Sequence, residues 1–278
     1  MTMNHLNDST AATPTLTEAK ALASRHALVC GASAGIGRAA AIALAGLGAD
    51  VTALARSHNA LKSLMPELER AGSPRARFVV ADHDDRPRLK AAVEGLIQRE
   101  GPVHVLVNNS GGPAPGPILE ATEEQFLGAF GRHLLVNHLL VQLTLDGMRR
   151  AAYGRIINII STSVREPIPG LGVSNTTRGA VASWAKTLSR ELPPGVTINN
   201  LLPGLTATDR LKSLQQQLAE QAGTTAEAIQ ATWESTIPER RVASPDELGA
   251  VIAFLASPQA SYLRGVSLPV DGGRLNSI

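Results

Sequence analysis

From His26 onward, short apolar runs alternate with longer segments whose apolar residues recur near helical spacing. The runs HALVC, DVTALA, ARFVVA, VHVLVN, RIINII, VTINNLL and GVSLPV predict seven strands. Between them, the stretches Ile36 to Leu47, Leu61 to Ala71, Arg88 to Arg99, Glu123 to Met148 and Thr176 to Leu192 predict helices. A last helix begins near Ser244, with Glu247 placed for a capping box. Strands and helices in alternation imply an α/β fold, a parallel sheet covered by helices on both faces.

Two segments break this rhythm. The first 23 residues are rich in Thr, Ala and Asn up to Pro14 and can form a short helix from Leu16 to Ala23, which predicts a flexible arm ahead of a single domain over 24–278. The polar, Gln-rich stretch from Thr206 to Arg241 falls between the sixth strand and the last helix. A helical insertion at the carboxyl edge of a parallel sheet is where a substrate lid lies, although a solvated helical hairpin has the same pattern.

Composition narrows the classes of partner. The chain has 278 residues, 44% of them hydrophobic, enough for one large core. Its 26 basic and 24 acidic residues leave a net charge of +2 with the arginines scattered, so neither a nucleic-acid nor a membrane-surface footprint is expected and small molecules are the expected partners. The single cysteine, Cys30, excludes an internal disulfide and reads as a core thiol. The N-terminal segment lacks both a basic start followed by an apolar stretch and a membrane-spanning run, which predicts a cytoplasmic protein. The run His83-Asp84-Asp85 reads as a helix cap and not as a metal site, and no metal is expected.

The candidate chemistry begins at ALVCGASAGIGRAAAIALA, where an apolar strand passes through Gly31, Gly35 and Gly37 into an alanine-rich helix. Gly31 permits a tight turn, Gly35 lets the backbone approach a diphosphate, and Gly37 allows close packing, while the helix N-terminus attracts phosphate charge. The second strand ends in Arg56 and Ser57, where an acidic residue would be needed to bind a bare ribose hydroxyl. Arg56 therefore selects a 2′-phosphate, and Arg38 offers a second positive charge for the same group. The cofactor expected is NADP(H).

The spacing GASAGIG, the fourth-strand NNSGG at 108–112, the NIIS ending at Ser161, LLPGLTAT at 201–208 and the closing SPDELGAVIAFLASPQASYLRGVSLPVDGG together resemble the short-chain dehydrogenase/reductase family, in its 3-oxoacyl-carrier-protein reductase-like branch. The resemblance covers about 26–273 and implies one Rossmann-like domain with a doubly wound, seven-stranded parallel sheet, assembled as a homotetramer or homodimer. It implies that Ser33 and Ile36 join the glycines at the cofactor, with Asp82 at the adenine ring and Asn108 and Gly111 along the adenosine ribose. Pro203, Gly204 and Thr208 fall near the nicotinamide, and Asn137 matches a helix asparagine that holds a water in the proton path.

The family's proton donor is missing. Ser161 stands at the position of the carbonyl-orienting serine, but Ser174 replaces the tyrosine thirteen residues later and Arg178 replaces the lysine that follows it. An aliphatic hydroxyl is a far weaker acid than a phenol of pKa about 10, and arginine cannot release a proton into a relay. Arg178 can still bind ribose hydroxyls. Three readings stay open: a reductase of carbonyls or imines using water held by Ser161, Ser174 and Asn137, or using His133 or His138 as acid; a reductase of an activated alkene; and a non-catalytic NADP(H)-binding sensor or scaffold. Lys186 lies about 12 Å further along the same helix and cannot substitute for the lysine.

Overall fold

A computed structural model describes residues 20–277. The arm expected over the first 23 residues lies outside the described residues up to position 19, and the described Lys20 to Ser24 form a turn. In chain order the elements are β1 (His26–Cys30), α1 (Gly35–Gly46), β2 (Asp50–Ala55), α2 (His58–Ala71), β3 (Ala76–Val80), α3 (Arg86–Glu100), β4 (Val105–Asn108), α4 (Glu123–Phe130), α5 (Val136–Arg150), β5 (Gly154–Ile159), α6 (Gly172–Glu191), β6 (Val196–Pro203), α7 (Asp209–Ala222), α8 (Ala226–Ser235), α9 (Pro245–Ala256) and β7 (Ser267–Val270).

The seven strands form one parallel sheet in the order β3-β2-β1-β4-β5-β6-β7. The order reverses between β1 and β4, and that switch point opens a crevice at the carboxyl ends of the strands, where open α/β sheets take their ligands. β1, β4 and β5 are buried along their whole length, as expected of central strands covered on both faces. β7 carries Pro269 in its interior and pairs only with β6, so as an edge strand it tolerates the missing donor.

One face of the sheet packs under α1, α2 and α9 through Leu44, Leu61, Leu64, Leu68, Leu248 and Ile252. The other packs under α3, α5 and α6 through Leu89, Val93, Leu140, Met148 and Ala185. Each fully buried leucine contributes about 2 kcal/mol of transfer free energy. The alanines of α1 let α9 come close: a Cβ on Gly249 would sit 2.9 Å from the Ala39 carbonyl oxygen. Ser57, Asp85, Thr122, Thr208, Thr225 and Ser244 each accept a backbone N–H at the start of their helix, and Ser244 completes a capping box with Glu247 as expected. The cap at Asp85 also accounts for the acidic pair after His83.

The helix expected over Glu123 to Met148 is present, with an irregularity: Gly131–Leu135 form a π-helical turn between α4 and α5. The wider turn inserts an extra residue into the helical phase.

A buried ladder of amides crosses the sheet just below the crevice. Asn108 Nδ2 donates to Asn158 Oδ1 at 2.9 Å, Asn158 Nδ2 to Asn200 Oδ1 at 2.9 Å, and Asn200 Nδ2 to Ser267 Oγ at 3.1 Å. These residues are direct register partners on β4, β5, β6 and β7. Asn158 supplies both an acceptor and a donor at 0% exposure. Asn158→Ala strands one buried group on each side and is expected to cost about 3 kcal/mol in a urea unfolding titration.

Candidate active site

A cavity of about 1170 Å³ occupies the switch-point crevice, and its walls come from the carboxyl ends of β1 through β6 and from the first turn of α7. Its floor is the turn from Gly31 to Ile36. Gly31 and Gly35 adopt φ of 61° and 52°, the left-handed region that disfavours side chains. Gly37 lies beneath: a Cβ there would overlap the Gly31 carbonyl oxygen and come within 2.7 Å of Asn109 Nδ2. The turn leaves the start of α1 without a side-chain cap and without an acidic residue in its first turn. Unpaired backbone N–H groups at a helix N-terminus, beside a wall without Cβ atoms, fit a dinucleotide's diphosphate.

One end of the cavity is lined by Arg56, Ser57 and Asp82. Arg56 is exposed and forms no ion pair with a described residue. The Ser57 hydroxyl caps α2 by accepting from Ala60 N, and Asp82 accepts from Asp84 N. The opposite end is lined by Ser161, Ser174 and Arg178, with Pro203, Gly204 and Thr208 across from them. The Ser161 hydroxyl accepts from Ser163 N at 3.0 Å, and Thr208 caps α7 while its methyl group packs over Gly35. Ser174 and Arg178 are one helical turn apart on α6 and face the same way. Arg178 is 8% exposed and donates through Nη1 to the Ile159 carbonyl oxygen at 2.9 Å. Burial, and then the charge of Arg210, push its pKa down to about 10, so it stays cationic at neutral pH.

Gly111 also lines the cavity; Arg38, Asn108 and Asn137 do not. Arg38 turns its guanidinium onto Glu67 of α2 and is spent in that ion pair. The Asn108 side chain belongs to the amide ladder, and its neighbour Asn109 lines the cavity in its place, donating to the Gly31 carbonyl at 3.5 Å. Asn137 is buried on α5, one turn beyond the residue that meets the site. That residue is His133, which the π-helical turn points toward the crevice: a ring nitrogen, Nδ1, lies 2.7 Å from the hydroxyl of Ser110, a cavity-lining residue. His133 Nε2 is buried with no hydrogen-bond partner among the described residues.

His138 is exposed and packs edge-on against Trp184, away from this arrangement. Neither tyrosine is within reach. Tyr153 is clasped between the guanidinium groups of Arg25 and Arg155, at 4.1 and 4.3 Å, and donates to the Ala256 carbonyl. Tyr262 is fully exposed beyond α9. Lys186 donates to the Gly265 carbonyl and does not line the cavity. No group of three or more His, Cys, Asp or Glu suited to a metal occurs among the described residues.

A phosphate-ready helix end at the switch point of a parallel sheet, joined by one cavity to a Ser, Ser, Arg cluster, defines a dinucleotide-binding oxidoreductase fold. The short chain dehydrogenase family model matches residues 25–219, and the chain belongs to that family. It is 33% identical to the 3-oxoacyl-[acyl-carrier-protein] reductase MabA of Mycobacterium tuberculosis, over 90% of this chain and 92% of that one. It is 29% identical to the NADPH-dependent reductase BacG of Bacillus subtilis, over 92% of this chain and all of that one. Among solved structures, L-sorbose reductase from Gluconobacter frateurii, complexed with NADPH and L-sorbose, superposes with a TM-score of 0.88 at 28% identity, covering 94% of this chain and 100% of that one.

Burial lowers the pKa of His133 to about 2, assisted by the charges of Arg178, Arg132, His83 and Arg210. The folded state keeps the ring neutral, whereas the unfolded chain protonates it below about 6.5. The unfolded state therefore binds more protons as pH falls, and stability present above 6.5 is lost on acidification. His26, lowered to about 4, acts in the same direction. His133→Gln removes the first contribution, so the variant is expected to lose about 2 kcal/mol less stability than the parent between pH 7 and pH 5, read by urea titration at both pH values.

Proposed function

We propose that the protein is an NADP(H)-dependent oxidoreductase that transfers a hydride to a carbonyl substrate, 3-oxoacyl-type compounds included. One observation carries this reading: a single cavity runs from Arg56, past the uncapped start of α1, to Ser161, Ser174 and Arg178. NADPH, when bound, supplies the hydride. The α1 N–H groups with Ser33 and Ile36 hold its diphosphate, Arg56 and Ser57 its 2′-phosphate, and Asp82 its adenine. Gly111 borders the ribose, Arg178 binds the nicotinamide ribose, and Pro203, Gly204 and Thr208 flank the carboxamide. BacG is NADPH-dependent by name, and the L-sorbose reductase was solved with NADPH, which supports the choice of dinucleotide.

Without a phenol, the proton reaches the carbonyl oxygen from water held by the Ser161 and Ser174 hydroxyls, and the hydroxide left behind takes a proton from bulk solvent. Ser174 suits this task because no described protein group hydrogen-bonds its hydroxyl, whereas His133, held neutral, is no acid at neutral pH. α7 and α8 serve as the lid expected over 206–241: Leu211 and Leu214 of α7 line the cavity, and Gln215 ties α7 to α8 through the Ala226 carbonyl.

The assembly is a homotetramer or homodimer. Leu127 and Leu135, 62% and 44% exposed beside α5, support a further apolar contact. The compartment is the cytoplasm, in keeping with Cys30 as a free, buried thiol. No described helix is long and apolar enough to cross a membrane.

Fluorescence titration is expected to show tighter binding of NADPH than of NADH. Arg56→Ala should weaken NADPH at least tenfold and leave NADH unchanged. Equal affinity of the parent for both dinucleotides would contradict the assignment of Arg56, and a carbonyl panel that never oxidises NADPH would contradict the reductase.

A further inference from the structure

The substrate end of the cavity holds more positive charge than a neutral carbonyl compound requires. Arg178 is buried, and its one hydrogen bond to a described residue, to the Ile159 carbonyl, leaves donors of its fork for an anion besides the nicotinamide ribose. Arg210, in the first turn of α7, reaches across the cavity and donates through Nη2 to the Pro113 carbonyl at 3.2 Å. Its guanidinium lies against Gly112, where a Cβ would come 2.6 Å from Nη2. The two cations are close enough for Arg210 to depress the pKa of Arg178. Neither has a carboxylate within ion-pair distance among the described residues, and the adjacent Asp209, though it lines the cavity, pairs with neither. A buried cation beside a second cation calls for an anion.

We propose that the substrate carries a carboxylate, received by Arg210 and the unspent donors of Arg178, so that the enzyme reduces oxo acids in preference to neutral carbonyl compounds. The inference rests on the reductase reading above and narrows its substrate. The anion could otherwise be the cofactor's diphosphate. The observations favour the substrate, because the diphosphate already has the open end of α1, while Arg178 stands one turn from Ser174 on the same face of α6. Arg210 rides on the lid helix, so a substrate carboxylate would also tie α7 to the loop after β4. Planar guanidinium groups bind carboxylate bidentately, which orients the neighbouring carbonyl as well as retaining it.

The test uses the full-length protein and NADPH with 2-oxo and 3-oxo acids, each paired with its methyl ester. The acids are expected to have kcat/KM at least tenfold above their esters. Arg210→Ala should raise KM for the acids at least tenfold with NADPH affinity unchanged, and Arg210→Lys should recover part of the loss. Esters reduced as well as acids, or an Arg210→Ala variant that weakens NADPH and spares KM for the acids, would overturn the proposal, the second outcome assigning Arg210 to the diphosphate. Calorimetry with benzoate on the NADPH-loaded protein reads the site independently of turnover. Benzoate binding lost in Arg210→Ala supports the carboxylate site even if no carbonyl compound is reduced, and absence of binding to the parent overturns it.

Discussion

The site depends on one steric constraint, the contact between Gly37 in the first turn of α1 and the carbonyl of Gly31 at the end of β1. No side chain fits between them. This approach seats α1 tightly over the sheet and directs its N–H groups, uncapped by any side chain, into the crevice between β1 and β4. The helices that start elsewhere in the fold with a Ser, Thr or Asp cap satisfy those donors internally. α1 keeps them for a ligand, so local stability is given up where phosphate is to be bound.

Where the family resemblance places a tyrosine and a lysine, the chain carries Ser174 and Arg178. Ser161, Ser174 and Arg178 all line the one cavity. Exchanging phenol and ammonium for hydroxyl and guanidinium removes the acid and leaves a permanent cation. The neighbourhood is correspondingly cationic, with Arg178 and Arg210 at one end, Arg56 at the other, and Arg132 paired to Asp84 between them. His133 is neutral in this field because burial and four nearby basic groups all oppose its protonation. On the proposed reading, hydride transfer relies on positioning and electrostatics more than on a dedicated proton donor.

The strands were legible because buried parallel strands are apolar runs of limited length, and the glycine turn because its spacing sat between a strand and a helix. What the sequence concealed depends on phase or on distant partners. One π-helical turn, invisible in a pattern of apolar positions, brings His133 to the crevice and leaves Asn137 behind. Arg38 follows the glycine turn directly, yet Glu67, on the next helix, claims it. Asn108 lies in a motif read as cofactor floor, but its amide pairs with Asn158, fifty positions away, and only strand register discloses that ladder. Arg210 was hidden in a polar stretch whose composition resembles any solvated helix.

The account is tested most directly by titrating NADPH into Gly37→Ala beside the parent, with far-UV circular dichroism on both. It predicts saturable binding by the parent and loss of that binding in the variant, whose helical content is retained because a methyl group there displaces the start of α1 and not the sheet. A folded variant that bound NADPH as tightly as the parent would contradict it.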